Sequence, residues 1–126
     1  MKGDDLAERF LNFAVRVLRL VASFPKTTPG KHIATQLVRS ATSAGSNYEE
    51  ARGAESRADF IHKMAVAWKE TRESCYWLRL IHRAELVKPH LLDGLLREGD
   101  NLCAILAQSL KTARKTVAPK VPRESP

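Results

Sequence analysis

Residues 28–53 read TPGKHIATQLVRSATSAGSNYEEARG, and this stretch decides the fold class. Thr28 is the predicted N-cap of a helix and Pro29 its first residue, because the missing N–H of a proline costs nothing in a first turn. Gly53 is the predicted helix stop. Between these ends, apolar side chains recur at steps of three and four residues, which predicts one buried helix face: Ile33, Leu37, Ala41, Ala44, Tyr48 and Ala51.

The middle of this helix, residues 40–46 (SATSAGS), carries only small side chains. Small side chains allow a second helix to approach closely, so the run predicts a tight helix crossing and not a loop. Gly45 inside a helix costs about 1 kcal/mol relative to alanine, which the close packing has to offset.

The same period and similar boundary residues predict three further helices. The first begins at Asp4 or Asp5, either of which can cap it, and ends near Phe24; its predicted core face is Phe10, Ala14, Val17, Val21 and Phe24. The third begins with the capping-box spacing of Ser56 and Asp59, and buries Phe60, Met64, Trp68, Thr71, Cys75 and Leu78. The fourth runs from Pro89 to about Val117 and buries Leu91, Leu95, Leu102, Leu106 and Leu110.

The connections between these helices are short, which favours antiparallel neighbours. We therefore predict an all-α fold, an antiparallel up-down-up-down four-helix bundle formed by one domain over residues 1–117. A length of 126 residues is enough for one hydrophobic core. Residues 118–126 (APKVPRESP) are predicted to form a flexible, basic, proline-containing tail.

The third helix carries a second set of apolar residues, about 180° from its core stripe at 100° per residue. A helix in a monomeric bundle needs only one apolar face, so this second face predicts a contact between subunits. The alternative is that its members are singly exposed, as apolar residues often are. The predicted interface residues are Val66, Trp77, Leu80 and Ala84.

The chain has a net charge of +7, of which +4 lies in residues 111–126. This balance is compatible with a nucleic-acid partner, and equally with the need of a protein to avoid self-association. Tyr76 is a candidate for stacking on bases, whereas Trp77 is a better interface anchor. The candidate phosphate contacts are Arg52, Arg72, Arg79, Arg83, Lys111, Arg114 and Lys115.

No motif for catalysis or for a cofactor is present in the sequence. It lacks the Glu-x-x-His pairs of di-iron bundles, zinc-ligand spacing and phosphate-binding glycine loops, so we expect no enzyme activity, metal or cofactor. Cys75 and Cys103 are predicted to be isolated, reduced and buried thiols. No apolar run is long enough to cross a membrane and no signal-peptide pattern is seen, so we expect a cytoplasmic protein. The histidines are predicted to lie at the surface or an interface: His32, His62, His82 and His90.

A polar cluster points away from the predicted core stripes and consists of Arg39, Ser43, Glu50, Lys63, Glu70 and Glu73. Opposite charges on neighbouring helices can set the register between helices or between subunits. Glu70 and Glu73 lie beside Lys69 and Arg72, which predicts ion pairs on the surface of the third helix itself.

Residues 39–51 (RSATSAGSNYEEA), 54–64 (AESRADFIHKM) and 69–78 (KETRESCYWL) resemble the signature of a bacterial family, the four helix bundle protein or 23S ribosomal RNA intervening-sequence protein family. The resemblance implies a ring-shaped homopentamer. It also implies kinship with accessory proteins of diversity-generating retroelements, which bind nucleic acid and a reverse transcriptase. It carries over no catalytic residue. The positions that it marks for assembly or ligand contact are Arg39, Ser43, Asn47, Glu50, Asp59, Lys63, Lys69, Glu70, Glu73, Tyr76 and Trp77.

The leading hypothesis is a non-enzymatic homo-oligomer, a pentamer, that binds RNA or DNA through a basic surface. The first alternative is a protein-interaction scaffold that presents one face to a protein partner and binds no nucleic acid. The second is an enzyme or metalloprotein whose site is assembled between subunits.

Overall fold

The computed structural model describes residues 3–117, and all regular secondary structure in this part of the chain is helical. The four helices are α1 (Asp4–Val21), α2 (Thr28–Arg52), α3 (Arg57–Arg83) and α4 (Asp93–Val117), with a single 3₁₀ turn at Pro89–Leu91 before α4. The predicted all-α class with four helices is confirmed. The predicted flexible tail, residues 118–126, lies outside the described residues.

The helices pack mainly on their neighbours in sequence, and α2 and α3 share the most extensive contact. Near its end, α2 contacts the beginning of α3, where Lys63 Nζ lies 2.5 Å from Glu50 Oε1. Earlier in α2, Arg39 Nη1 lies 3.1 Å from Oε1 of Glu70, which is further along α3. The order of these contacts is reversed between the two helices, which fits the predicted antiparallel bundle.

The predicted core face of α2 is confirmed, because all six of its residues are buried. In α4, four of the five predicted leucines are buried, but Leu91 is 44% exposed and Leu92 is fully buried in its place. The reason is that α4 begins at Asp93 and not at Pro89. The 3₁₀ turn breaks the helical period, so a spacing of four cannot be extended from Leu95 back to Leu91.

The predicted boundaries of α1 and α2 need correction. Ser23 Oγ donates a hydrogen bond to the Leu20 carbonyl at 2.7 Å in the turn after α1, which ends at Val21 and not near Phe24. At its other end, the N-cap of α1 is Gly3, in the left-handed conformation with φ of 90°, and not an aspartate. The N-cap of α2 is Thr27, not Thr28, and its Oγ1 accepts a hydrogen bond from the Gly30 N–H at 3.2 Å.

The core faces of α1 and α3 are also shifted relative to the sequence pattern. In α1, Phe13 and Leu20 are buried, whereas the predicted Ala14 and Val21 are half-buried. In α3, Ser56 is the N-cap as predicted. The face of α3 that is buried consists of Met64, Ala67, Thr71, Ser74, Cys75, Leu78 and Ile81, whereas Phe60 and Trp68 are half-buried. Because α3 packs on both α2 and α4, its buried surface is wider than one stripe.

The small residues of α2 allow the close helix crossing that was predicted. A Cβ atom at Gly45 would lie 3.2 Å from the Cβ of Phe10 and 3.8 Å from the Phe10 backbone. Few side chains fit at such a distance, so α1 crosses α2 almost backbone to backbone at this point. The Phe10 ring continues along α2 and meets Tyr48, with the ring centroids 5.3 Å apart.

A buried pair of hydroxyl groups joins α2 to α3. Ser40 Oγ and Ser74 Oγ are 2.8 Å apart, and both side chains are fully buried. Ser74 Oγ also donates to the Glu70 carbonyl at 3.0 Å, which leaves it able to accept the hydrogen of Ser40. Both hydroxyl groups therefore have a hydrogen-bond partner, without which their burial would be destabilising.

Ser40→Ala and Ser74→Ala are each expected to lower the free energy of unfolding by about 1–2 kcal/mol, because each removes the buried hydrogen bond between the two hydroxyl groups and Ser74→Ala also removes the bond to the Glu70 carbonyl. The double variant is expected to lose about 0.5–1.5 kcal/mol less than the sum, since the bond between the two hydroxyls can be lost only once. Urea unfolding of the four proteins measures this coupling. Ser46→Ala, at an exposed position of the same helix, is the control, and strictly additive losses would contradict the prediction.

Candidate nucleic-acid interface

A row of basic residues follows one face of α3. Four cations and one tyrosine recur at steps of three and four residues, which places them on one side of the helix over about 21 Å. Among the described residues, no carboxylate forms an ion pair with any of the four cations. This basic row consists of Lys69, Arg72, Tyr76, Arg79 and Arg83.

All residues of the basic row except Arg83 line an open groove of about 760 Å³ between α3 and α4. Arg72 lies over the Trp68 ring, with its guanidinium carbon 5.1 Å from the ring centroid. Tyr76 is 53% exposed and meets Trp77 edge to face at 5.0 Å. Cys75 and Cys103 line the groove between these groups. The groove therefore offers cations together with an accessible aromatic ring, the combination used to bind single-stranded nucleic acids.

Two carboxylates, Glu73 and Asp100, also line the groove. Glu73 accepts hydrogen bonds from Arg39 on α2 and from Nε1 of Trp77, the latter at 2.9 Å. The hydrogen bond from Arg39 holds the pKa of the Glu73 carboxyl below its usual range, although partial burial opposes this. Because Arg39 balances the charge of Glu73 from outside the groove, the basic row keeps most of its positive charge.

The predicted ion pairs of Glu70 and Glu73 with Lys69 and Arg72 are corrected by these contacts. Both glutamates pair with Arg39 across the α2–α3 contact. The two ends of the Arg39 guanidinium reach the two carboxylates, which lie one turn apart on α3. Among the described residues, Lys69 and Arg72 form no ion pair with either glutamate. Within the chain, the charged residues of the polar cluster thus join α2 to α3, one of the two roles that their opposite charges predicted, while a contact between subunits stays a prediction.

Glu73→Gln is expected to lower the free energy of unfolding at neutral pH by about 0.5–1 kcal/mol, a small value because solvent screens this partly exposed pair. The folded-state pKa of Glu73 is lowered, so its stabilisation is present above the ordinary value of 4.5 and is lost as the pH falls through the folded-state pKa. The difference between wild type and variant should therefore shrink in acid. Urea unfolding at several pH values measures it, with Glu55→Gln as the exposed control; a difference that grows in acid would contradict the prediction.

The other cations predicted to contact phosphate lie outside the groove. Arg52 pairs with Asp4 and Glu49 where α1 begins and α2 ends, so two carboxylates already balance its charge. Lys111, Arg114 and Lys115 are exposed in the last turns of α4 and are not among the residues that line the groove.

The remaining marked positions have local roles in the structure. Asn47 Nδ2 donates to the Ser43 carbonyl at 2.9 Å, within α2. The Asp59 N–H donates to Ser56 Oγ at 3.0 Å at the start of α3. Only the contact of Asn47 uses the side chain of a marked residue, so ligand or subunit contact by Ser43 and Asp59 stays a prediction.

The second apolar face of α3 is partly used by the chain itself. Trp77 and Leu80 are half-buried against the core, and the Trp77 ring meets His32 of α2 edge to face at 6.1 Å. Val66 is half-buried and Ala84 is exposed. The premise that the monomer has no use for this face is therefore wrong for Trp77 and Leu80, while a subunit contact through the exposed remainder stays a prediction.

Two exposed leucines on α1 were not identified as candidate site residues from the sequence. Leu11 is 57% and Leu18 is 48% exposed, and both border a groove of about 420 Å³ between α1 and α2. The other residues of this groove are mostly apolar or small, among them Ala14, Val15 and Gly45. The signal was present in the sequence, since the two leucines are seven residues apart on one side of α1.

The four histidines are exposed, in agreement with the predicted surface positions. Over residues 3–117, no group of three or more histidine, cysteine or acidic side chains is placed to hold a metal ion. In the same part of the chain, every helix is too short or too polar to cross a membrane.

The family model described as 23S rRNA-intervening sequence protein matches residues 5–108. Among solved structures, the chain is similar to a protein with unknown function from the S23 ribosomal protein family of Bacteroides thetaiotaomicron VPI-5482. The two are 33% identical, the match covers 83% of this chain and 97% of that one, and the TM-score is 0.77. No protein of curated function matches. The match of the family model extends the resemblance from residues 39–78 into the first and last helices.

Proposed function

We propose that this chain, which belongs to the 23S rRNA-intervening sequence protein family, is a non-enzymatic homo-oligomer that binds RNA or DNA along the basic row of α3. The observation that carries the proposal is the alignment of four cations on one helix face, three of which line an open groove. The described residues form no ion pair with these cations, so they are available to phosphate groups. We place this activity in the cytoplasm, where cysteines are kept as thiols.

Single-stranded nucleic acid fits this surface better than a duplex does. Tyr76 stands between Arg72 and Arg79 on the same face, so a base can stack on its ring while the arginines contact the flanking phosphates. The basic row supports binding to either RNA or DNA, since both carry phosphate groups and contacts to phosphate do not depend on the base sequence.

Arg72→Ala and Arg79→Ala are expected to weaken binding of a labelled single strand and to reduce the dependence of log affinity on log salt by about one unit for each contact removed. Binding isotherms with RNA and DNA oligonucleotides over about 50–200 mM salt measure both effects. Arg57→Ala is the matched control, because Arg57 is exposed at the start of the same helix, about 22 Å from Arg72. Absent or salt-independent binding by the wild type would refute nucleic-acid binding, and co-purification of a protein instead would favour a scaffold.

The oligomer of the proposal is a pentameric ring, as the family resemblance implies. A ring of identical subunits needs two different surfaces on each copy, one for each neighbour. Two apolar surfaces on different helices meet this requirement. One is the second face of α3, where Ala84 is exposed and Trp77 and Leu80 are half-buried, and the other is the α1–α2 groove with Leu11 and Leu18.

Ala84→Arg and Leu18→Arg are each expected to disrupt the ring. The two proposed surfaces meet in every contact between neighbouring subunits, and each variant places an unpaired charge on one of them. Light scattering coupled to chromatography should give about 70 kDa for the wild type, five times the 14.1 kDa of one chain, and lower masses for the variants. Ala58→Arg, an exposed position in the first turn of α3, is the control. A stable 14.1 kDa wild-type monomer at micromolar concentration would overturn the assembly.

A further inference from the structure

The two cysteines, predicted to be isolated, are neighbours in space. Cys75 on α3 and Cys103 on α4 have their Sγ atoms 3.9 Å apart, and neither is in a disulfide. This distance corresponds to contact between two sulfur atoms, since a disulfide bond is about 2.05 Å long. Residues 28 positions apart in the sequence thus form a dithiol pair between two helices.

The two thiols have different environments. Both line the open groove, but Cys75 is buried as predicted, whereas Cys103 is only half-buried, which corrects the prediction that both thiols are buried. The hydrogen bond from Cys75 lowers the pKa of Cys103, with help from the charges of Arg72 and Arg79, although burial and Asp100 oppose this. The same hydrogen bond and its own burial raise the pKa of Cys75. The outer cysteine, Cys103, therefore loses its proton more readily than the inner one, Cys75, and a thiolate is the reactive form.

The backbone of α4 makes room for the inner sulfur. A Cβ atom at Gly99 would lie only 2.9 Å from Sγ of Cys75, so a side chain at this position would displace the sulfur. Gly99 is one turn before Cys103, on the same face of α4. The helix thus presents a gap next to the Cys103 sulfur, and the Cys75 sulfur occupies the gap.

We propose that Cys75 and Cys103 are a peroxide-sensitive pair, in which Cys103 is the oxidised residue and Cys75 closes a disulfide between α3 and α4. The Cys103 thiolate attacks one oxygen of a hydroperoxide, the O–O bond breaks, and the other oxygen leaves and takes up a proton. Cys103 is then a sulfenic acid. The Cys75 sulfur, which gives up its proton, attacks the Cys103 sulfur, the S–O bond breaks and water leaves. Two thiols lose two electrons in total, and the peroxide gains them.

The alternative interpretation is that the cysteines are ordinary small core residues, which is common for buried cysteines. It predicts no preferred order of reaction between the two and no bond between them. The proposal alone predicts that one cysteine reacts first, because exposure and the hydrogen bond between the thiols distinguish the two. It alone also predicts that a disulfide then forms within one chain. Nucleic acid has no part in this chemistry, so the test can be made with the protein alone.

The test uses the reduced full-length protein and a small excess of hydrogen peroxide, followed by alkylation and non-reducing tryptic digestion. Cleavage after Arg72, Arg79, Arg97 and Lys111 separates the two cysteines onto peptides 73–79 and 98–111. Mass spectrometry should find these peptides joined, and reduction should separate them. This measurement needs no variant, and a linkage found only between different chains would overturn the proposal.

Two variants test the order of the steps. In Cys75→Ser, the Cys103 sulfenic acid should accumulate and be trapped by dimedone, because no second thiol removes it. In Cys103→Ser, Cys75 should react with peroxide at least about tenfold more slowly than Cys103 does in the other variant. Circular dichroism on both variants checks that the helices are intact. Equal rates for the two cysteines, or oxidation of Cys103 to the sulfinic acid in the wild type without a linked peptide, would refute the proposal.

Discussion

Phe13→Ala is expected to lower the free energy of unfolding by about 3–5 kcal/mol, the usual cost of removing a buried phenyl ring. Phe13 is fully buried, and its ring lies against α4 near Gly99. The neighbouring helices can only partly collapse into the space left behind, so the loss includes a cavity term. A domain of this size is stable by about 5–15 kcal/mol, so the variant should unfold at a much lower urea concentration.

Asn12→Ala is the control for this prediction. Asn12 precedes Phe13 on the same helix and is exposed outside the α1–α2 groove, so its truncation should lower the free energy of unfolding by no more than about 0.5 kcal/mol. Phe13→Leu, which keeps part of the buried volume, should lose about 1–2 kcal/mol and gives a measurable transition if the alanine variant is unfolded. Equal losses for Phe13→Ala and Asn12→Ala would mean that α1 packs through a different face.

Gly45→Leu is expected to cost about 1–3 kcal/mol or more, because the added side chain has to push α1 away from α2. The first atom of that side chain would already lie 3.2 Å from Cβ of Phe10 and 3.8 Å from its backbone. The better helix propensity of leucine offsets only about 0.8 kcal/mol of this cost. Urea unfolding with an unchanged m-value measures the loss, and crystallography should show α1 displaced relative to α2.

The control places the same side chain on α2 away from the crossing. Thr35→Leu changes an exposed residue of α2 outside the α1–α2 groove, so it should leave the free energy of unfolding within about 0.5 kcal/mol of wild type. If Gly45→Leu were as harmless as Thr35→Leu, the close approach of Phe10 would not contribute to the packing of α1.

The helices were predictable where a single periodicity and clear end residues agree. In α2, the core stripe from Ile33 to Ala51 and the stop at Gly53 follow from local rules and are found in the structure. Leu91 was misplaced because a 3₁₀ turn interrupts the period just before α4. A change of helix type depends on how the preceding turn fits against the bundle, which the spacing of leucines does not record.

The candidate interface was predictable in part, because residues on one helix have fixed relative positions. Arg72, Tyr76 and Arg79 were identified individually, and helical spacing alone places them on one side of α3. The groove beside them requires α4, and no local pattern predicts that Cys103 lies next to Cys75. Contacts between helices depend on how each helix is rotated about its axis. Because α3 carries two apolar stripes, its rotation is not determined by the sequence pattern alone.

The packing order of the helices has a consequence for how the chain reaches this structure. The contacts of α2 with α1 and α3, and of α3 with α4, join segments adjacent in sequence, whereas the α1–α4 contact is slighter than any of these. Hairpins of adjacent helices close short loops at small entropic cost, so such topologies fold within about microseconds to milliseconds. A chain emerging from the ribosome can therefore pair α1 with α2, and then add α3, before α4 has been synthesised.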